Sequence, residues 1–289
     1  IIEPIFEKKF IYDSYANRKG KGTLAALNRL KIFMKKATWN GTLINKYNNK
    51  DVKGFFLKGD IKHYFDTINH DKLLEIISRT IKYKELLFFI KNILKNHNSN
   101  IEGKGMPLGN LTSQFLANVY LNELDQFVKH KLKVKYYIRY VDDFIILNND
   151  KNKLEFYKEE INNFLKENLL IELNHEKSKI MPINRGIEFL GFRNFYHHRL
   201  LKRRNTRKFF RKLKDFKEDY DLKLINYDMV YESFNGWIAF AKIANTYNLR
   251  KRIGILTDNY FPGEISTIEI NRIAKLSGKY SDVFAVKQI

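Results

Sequence analysis

The 289-residue chain contains no cysteine, which excludes a disulfide framework and a thiolate metal centre. No stretch approaches 18 uninterrupted apolar residues, and the N-terminus carries no signal-peptide pattern, so an intracellular protein with no membrane partner is expected. No internal repeat or low-complexity linker interrupts it. Acidic residues are scarce: 32 Asp and Glu stand against 53 Lys and Arg, a net charge of +21. Such an excess points to a polyanionic partner, nucleic acid ahead of a membrane surface. What is present is 44% apolar and 15% aromatic, the composition of a folded chain with one large core or two to three subdomains.

The chain is organised around Tyr136–Leu147, which reads as two short buried strands rich in aromatic and β-branched residues. Asp142 and Asp143 mark the bend between them, since aspartate is disfavoured in strands and favoured in turns. A lone Asp-Asp pair is usually a solvated turn. Here, however, Phe55–Ile61 forms a second buried strand that ends on Asp60, 82 residues before Asp142. Carboxylates crowded from separate rigid strands repel unless a cation sits between them, and they supply hard oxygen ligands for one. This is the arrangement that two-metal phosphoryl transfer requires.

Around this pair, Ser14–Thr23 is a basic, glycine-spaced loop before a helix over Leu24–Met34, suited to phosphate but without Walker spacing. A turn through Asp66, Asn69 and His70 caps a helix from about Lys72 to Ile81. The loop Met106–Gln114 leads into a long helix with an apolar stripe from Leu111 to Val128, and Thr112 or Ser113 is the expected N-cap. After the Asp-Asp hairpin come an amphipathic helix over Leu154–Glu167, a strand over Leu169–Leu173, the turn Asn174–Lys179 and a tight hairpin over Ile187–Arg193. Arg199–Lys214 then holds nine basic residues in sixteen and no acid, and a further helix spans Tyr227–Ala244.

These motifs together resemble the reverse transcriptases of the bacterial group II intron-like lineage, and most closely those of diversity-generating retroelements. The likeness rests on Ser14–Thr23, the strand ending in Asp60, Leu108-Gly109 with Ser113-Gln114, Tyr140-Val141-Asp142-Asp143, Lys177-Ser178 and Phe189-Leu190-Gly191-Phe192. It implies an α+β right-hand polymerase: fingers over 1–50, a palm over 51–198 with an inserted fingers segment about 75–108, and a helical basic thumb and tail over 199–289. The implied activity is RNA-directed DNA polymerisation with two Mg²⁺, held by Asp60, Asp142 and Asp143 with the Ile61 carbonyl.

The resemblance also assigns roles to other residues. Lys177 neutralises or protonates departing pyrophosphate. Phe65 excludes a 2′-hydroxyl, although its position alone fits a core aromatic. Leu108, Gly109, Ser113 and Gln114 line the nascent pair, and Arg18 and Lys21 approach the triphosphate. Phe189, Leu190, Gly191 and Phe192 grip the primer, and Arg203, Arg204 and Arg207 follow the duplex backbone. Implied partners are template RNA, a DNA or RNA primer, dNTPs and a small basic accessory protein, in the cytoplasm of a bacterial or archaeal cell or in a phage-encoded system.

Two departures bear on this expectation. Leu108 and Gln114 stand where most such enzymes have Gln and Pro, which is what points to the diversity-generating group. Fingers strands expected upstream of Ile2–Phe6 are missing from this sequence. Rival readings are a group II intron, retron or phage-defence reverse transcriptase, and a catalytically silent RNA-binding protein that keeps the fold.

Overall fold

The computed structural model of the protein describes residues 2–41, 52–95, 101–107 and 111–273. The chain divides into two compact units, Ile1–Leu190 with Asn194–His197, and Gly191–Arg193 with the chain from His198 onward.

The first unit is built on a four-stranded antiparallel sheet. Its strands are β1 (Phe55–Gly59), β2 (Tyr136–Tyr140), β3 (Asp143–Asn148) and β4 (Lys179–Pro182), in spatial order β2-β3-β1-β4. Aromatic and branched residues favour these strands because they fill a pleated surface, and Phe56, Leu57, Tyr137, Ile138 and Phe144–Leu147 are buried. Among the described residues, seven α-helices belong to this unit: α1 (Glu3–Glu7), α2 (Thr23–Ala37), α3 (Tyr64–Thr67), α4 (His70–Ser78), α5 (Lys84–Lys95), α6 (Leu111–Gln126) and α7 (Lys151–Leu169). Helix α7 packs on β1, β3 and β4, α2 on β2 and β3, and α4 on α5 and α6. The Asn69 side chain accepts from the Lys72 N–H at 2.8 Å and caps α4. The expected fingers region 1–50 therefore has its described helices, α1 and α2, in the same compact unit as the sheet.

The structure corrects three local expectations. The bend of the β2–β3 hairpin is Val141-Asp142, one residue earlier than expected, because Asp143 already pairs with Tyr140 in the ladder. Leu169–Leu173 forms no strand: the apolar stripe Leu154, Ile161, Leu165 and Leu169 carries α7 through Leu169, and Leu170 ends it at φ 53°. An isolated bridge between Ile61 and Leu173 is what pairs there. Neither Thr112 nor Ser113 is an N-cap, since α6 already starts at Leu111 and both sit in its first turn.

Three short strands, β5 (Ile187–Phe189), β6 (Phe192–Asn194) and β7 (Arg199–Leu201), form a second sheet in that order. Leu190 and Gly191 turn β5 into β6 with φ of 49° and 87°, the sign pattern of a tight type I′ hairpin turn. In the second unit α8 (Arg203–Asp221), α9 (Tyr227–Ala241) and α10 (Tyr247–Tyr260) bury two small apolar clusters. There Phe209 stacks on Trp237 at 4.6 Å, and Leu213 packs with Val230 and Phe261. No described helix is long and apolar enough to cross a membrane.

Candidate active site

Asp60 leaves the end of β1 with its backbone fixed. Its N–H donates to Ser178 Oγ at 3.1 Å, and its carbonyl accepts from the Asn174 N–H at 2.8 Å. Gly59 faces Phe144 in the β1–β3 ladder, and one further step in that register brings Asp60 beside Asp143. Gly59 is required at this point, since a Cβ there would lie 2.1 Å from the Phe144 ring. Asp142 occupies the hairpin turn and Asp143 the first position of β3, so the sheet delivers all three carboxylates to one end. They are not open to solvent as a loose turn would be: the Asp60 and Asp143 side chains are 17% and 23% exposed.

Crowding and burial show in the electrostatics. Burial raises the Asp143 carboxyl to about 6; the Lys58 ammonium opposes the rise, and Asp142 and Asp60 add to it. Asp142 is also raised, by burial first and then by Asp60, against a backbone hydrogen bond and the pull of Lys177 and Lys58. Two lysines offset part of this charge. Lys58 Nζ lies 3.2 Å from Asp143 Oδ2 and donates to the Glu188 carbonyl at 3.2 Å. Lys177 Nζ lies 3.3 Å from Asp60 Oδ1, on a turn braced by Asn174 Oδ1, which accepts the Lys177 N–H.

Asp143 Oδ1 is buried without a hydrogen-bond partner. That orphaned acceptor, beside two more carboxylates, fits a hard divalent cation. Among the described residues no three His, Cys, Asp or Glu side chains are already drawn together as a metal cluster. Mg²⁺ is commonly held by one or two carboxylates, completed by water and substrate phosphate, rather than by an all-protein cage. The residues present suit that mode.

Phe65 lies on α3, half-buried against the main core, and its carbonyl accepts from the Met106 N–H at 2.8 Å. Ile61, directly after Asp60, is buried, as is Ser113 in the first turn of α6, where Gln114 is half-buried. Leu108 and Gly109 lie outside the described residues. Arg18 is already engaged: its guanidinium holds Glu7 through Nε and Nη2 and donates to the carbonyls of Ile11 and Ser14. In this arrangement it braces the loop. Lys21 Nζ lies 3.4 Å from the Tyr12 ring centre and donates to the Tyr12 carbonyl.

Phe189 and Phe192 are buried, the tip Leu190-Gly191 is half-buried, and Glu188 and Arg193 beside them are exposed. Arg203, Arg204 and Arg207 are exposed on the first two turns of α8. Sequence reasoning missed Lys58, whose signal was its place two residues before Asp60 on one strand face. It also missed Arg139, a charge inside an otherwise apolar strand.

Residues 1–194 match the family described as reverse transcriptase (RNA-dependent DNA polymerase). The chain is 25% identical to the putative COX1/OXI3 intron 2 protein of Saccharomyces cerevisiae, over 66% of this chain and 28% of that protein. It is 26% identical to the group II intron-encoded protein LtrA of Lactococcus lactis subsp. cremoris, over 66% of this chain and 41% of LtrA. The chain thus spans less than half of either relative. Its fold is also similar to apo telomerase from Candida tropicalis truncated from its C-terminal domain, with a TM-score of 0.49 and 17% identity, covering 66% of this chain and 41% of that one.

Proposed function

Starting from a chain that belongs to the reverse transcriptase family, we propose that it is an RNA-directed DNA polymerase that copies template RNA from a DNA or RNA primer. The observation that carries this reading is the delivery of Asp60, Asp142 and Asp143 to one end of the sheet, with Asp143 Oδ1 buried and unpartnered. Asp60, Asp142, Asp143 and the Ile61 carbonyl would hold two Mg²⁺. When bound, these supply activation of the primer 3′-hydroxyl and charge neutralisation at the triphosphate.

The chain's own residues supply the rest. Lys177, exposed and tethered to Asp60 at 3.3 Å, stands ready to neutralise the departing pyrophosphate or give it a proton. Phe65 would set its ring against the sugar and select deoxyribonucleotides. Ser113, Gln114, Leu108 and Gly109 would line the nascent pair, with Lys21 on the triphosphate side. The hairpin tip at Leu190-Gly191 would meet the primer end, and the basic face of α8 the duplex phosphates. In this reading the first unit serves as fingers and palm, and the second as thumb.

Asp142→Asn tests the assignment. Primer extension should be abolished while affinity for an RNA–DNA duplex stays within about twofold, because binding rests on basic residues elsewhere. Extension near the wild-type rate would remove Asp142 from the metal site, whereas a parent protein that binds the duplex but extends no primer would leave a reverse transcriptase fold that acts as an RNA-binding scaffold.

Within this class, Leu108 and Gln114 favour an error-prone enzyme of a diversity-generating retroelement, while the similarity to LtrA favours an intron-encoded one. Leucine offers only van der Waals contact where Gln could hydrogen-bond, and polar contacts discriminate far better than apolar ones. Errors should therefore concentrate opposite template adenines and fall in Leu108→Gln, as read by sequencing cDNA from one defined RNA. An accurate parent enzyme would support the intron-type reading.

A further inference from the structure

Arg139 on β2 takes no part in the chemistry outlined above, yet its side chain is completely buried. Its guanidinium joins three segments, helix α6, the Ser14 loop and the β2–β3 turn. Nε and Nη2 clamp the two oxygens of Asp125 on α6 at 2.7 and 2.6 Å, and Asp125 is itself fully buried and also bound by the Tyr137 hydroxyl. Nη2 donates to Ser14 Oγ at 3.1 Å, and Nη1 donates to Asn118 Oδ1 at 3.2 Å. The last bond, from Nη1 to the Val141 carbonyl at 2.9 Å, reaches the catalytic turn.

Two observations show that this last bond has a task. Val141 is β-branched, yet sits at φ 55°. A turn position of that hand is natural for Gly or Asn, and Val persists there only when its surroundings over-determine it. Further, a buried ion pair is often no more stabilising than well-packed apolar side chains of the same volume. Burial of Asp125–Arg139 is therefore not explained by stability, whereas an apolar side chain could not donate to the Val141 carbonyl. The backbone of Arg139 is held too: its N–H donates to the Asp13 carbonyl, and its carbonyl accepts from the Tyr15 N–H, each at 3.0 Å. Asn118 Nδ2 in turn holds the Ala16 carbonyl at 2.8 Å.

We propose that Arg139 is a positioning residue for the polymerase reaction. It locks the Val141 peptide and so fixes how Asp142 and Asp143 present their carboxylates, with Ser14 and Asn118 holding the guanidinium in register. The role in turnover rests on the polymerase reading above; the role in shaping the carboxylate site does not.

The test removes the aim of the guanidinium while keeping its charge partner. Ser14→Ala, Asn118→Ala and their combination are compared with Ile161→Val, which trims a buried core residue of α7 that makes none of these hydrogen bonds. Three quantities are read: melting temperature, Mn²⁺ affinity by electron paramagnetic resonance, and kcat with KM for dNTP on a primed RNA. The combined variant should bind Mn²⁺ at least fivefold more weakly and lose at least tenfold in kcat, with KM for dNTP within twofold. Ile161→Val should change melting temperature alone. If the combined variant does not fold, each single variant is judged by the same comparison.

Variants that lower melting temperature as Ile161→Val does, with Mn²⁺ affinity and kcat intact, would overturn the inference and leave Arg139 a core brace. A wild-type protein that binds Mn²⁺ but extends no primer would remove the polymerase reading, and the Mn²⁺ affinities would still decide the carboxylate-positioning role.

Discussion

Lys58 and Lys177 each set an ammonium against a carboxylate that the proposed reaction needs for metal. Lys177 is largely exposed, so its hold on Asp60 is weak and easily exchanged. Lys58 is more enclosed and competes directly with a cation for Asp143. Removing it in Lys58→Met should strengthen Mn²⁺ binding by about fivefold, the equivalent of the ~1 kcal/mol typical of a part-exposed pair. The measurement belongs at pH 8, where Asp143, raised to about 6, is ionised in wild type and variant alike. For the wild type, affinity should weaken as pH falls through about 6, because the proton then competes for the same oxygens. Weaker binding in Lys58→Met at pH 8 would mean that the lysine assembles the site rather than competing for it.

The β1–β3 ladder is the element that brings the carboxylates together, and its tightest point is Gly59 against the Phe144 ring. Gly59→Ala should cost about 1–3 kcal/mol through overpacking and displace Asp60 from its neighbour, seen as a lower Tm together with weakened Mn²⁺ binding. An unchanged Tm would show that the ring simply rotates aside. This element was legible in the sequence because both strands carry dense aromatic and β-branched runs that stop at aspartates. Strand β4 was not: Lys179–Pro182 is too short and too polar to signal a strand, and it exists because β1 offers it an edge. Leu169–Leu173 misled in the opposite sense, since its apolar run reads as a strand until the helical spacing from Leu154 is followed through it. The same limit hid the partners of Arg139, which come from chain positions 14 to 141 and share no local pattern.

At the scale of the molecule, the charge of +21 includes nine basic residues and no acid over 199–214, with Arg203, Arg204 and Arg207 exposed on α8. Reversing these three charges together should weaken duplex binding and flatten its dependence on salt by roughly three phosphate contacts' worth of slope. An unchanged slope would assign that face to a protein partner. The order of the strands has a consequence of another kind, in synthesis. Strand β1 lies between β3 and β4, both of which follow it in the chain, and Asp60 waits for Ser178, 118 residues later. At about 5–20 residues per second on the ribosome, that delay is roughly 6–24 s. Until β3 is made neither edge of the strand at Phe55, Phe56 and Leu57 is paired, and the edge that β4 will take stays open through all of it. A nascent chain of this protein is therefore an aggregation-prone client for chaperones until the second half of the sheet arrives, and slowing translation between Asp60 and Ser178 lengthens that exposure.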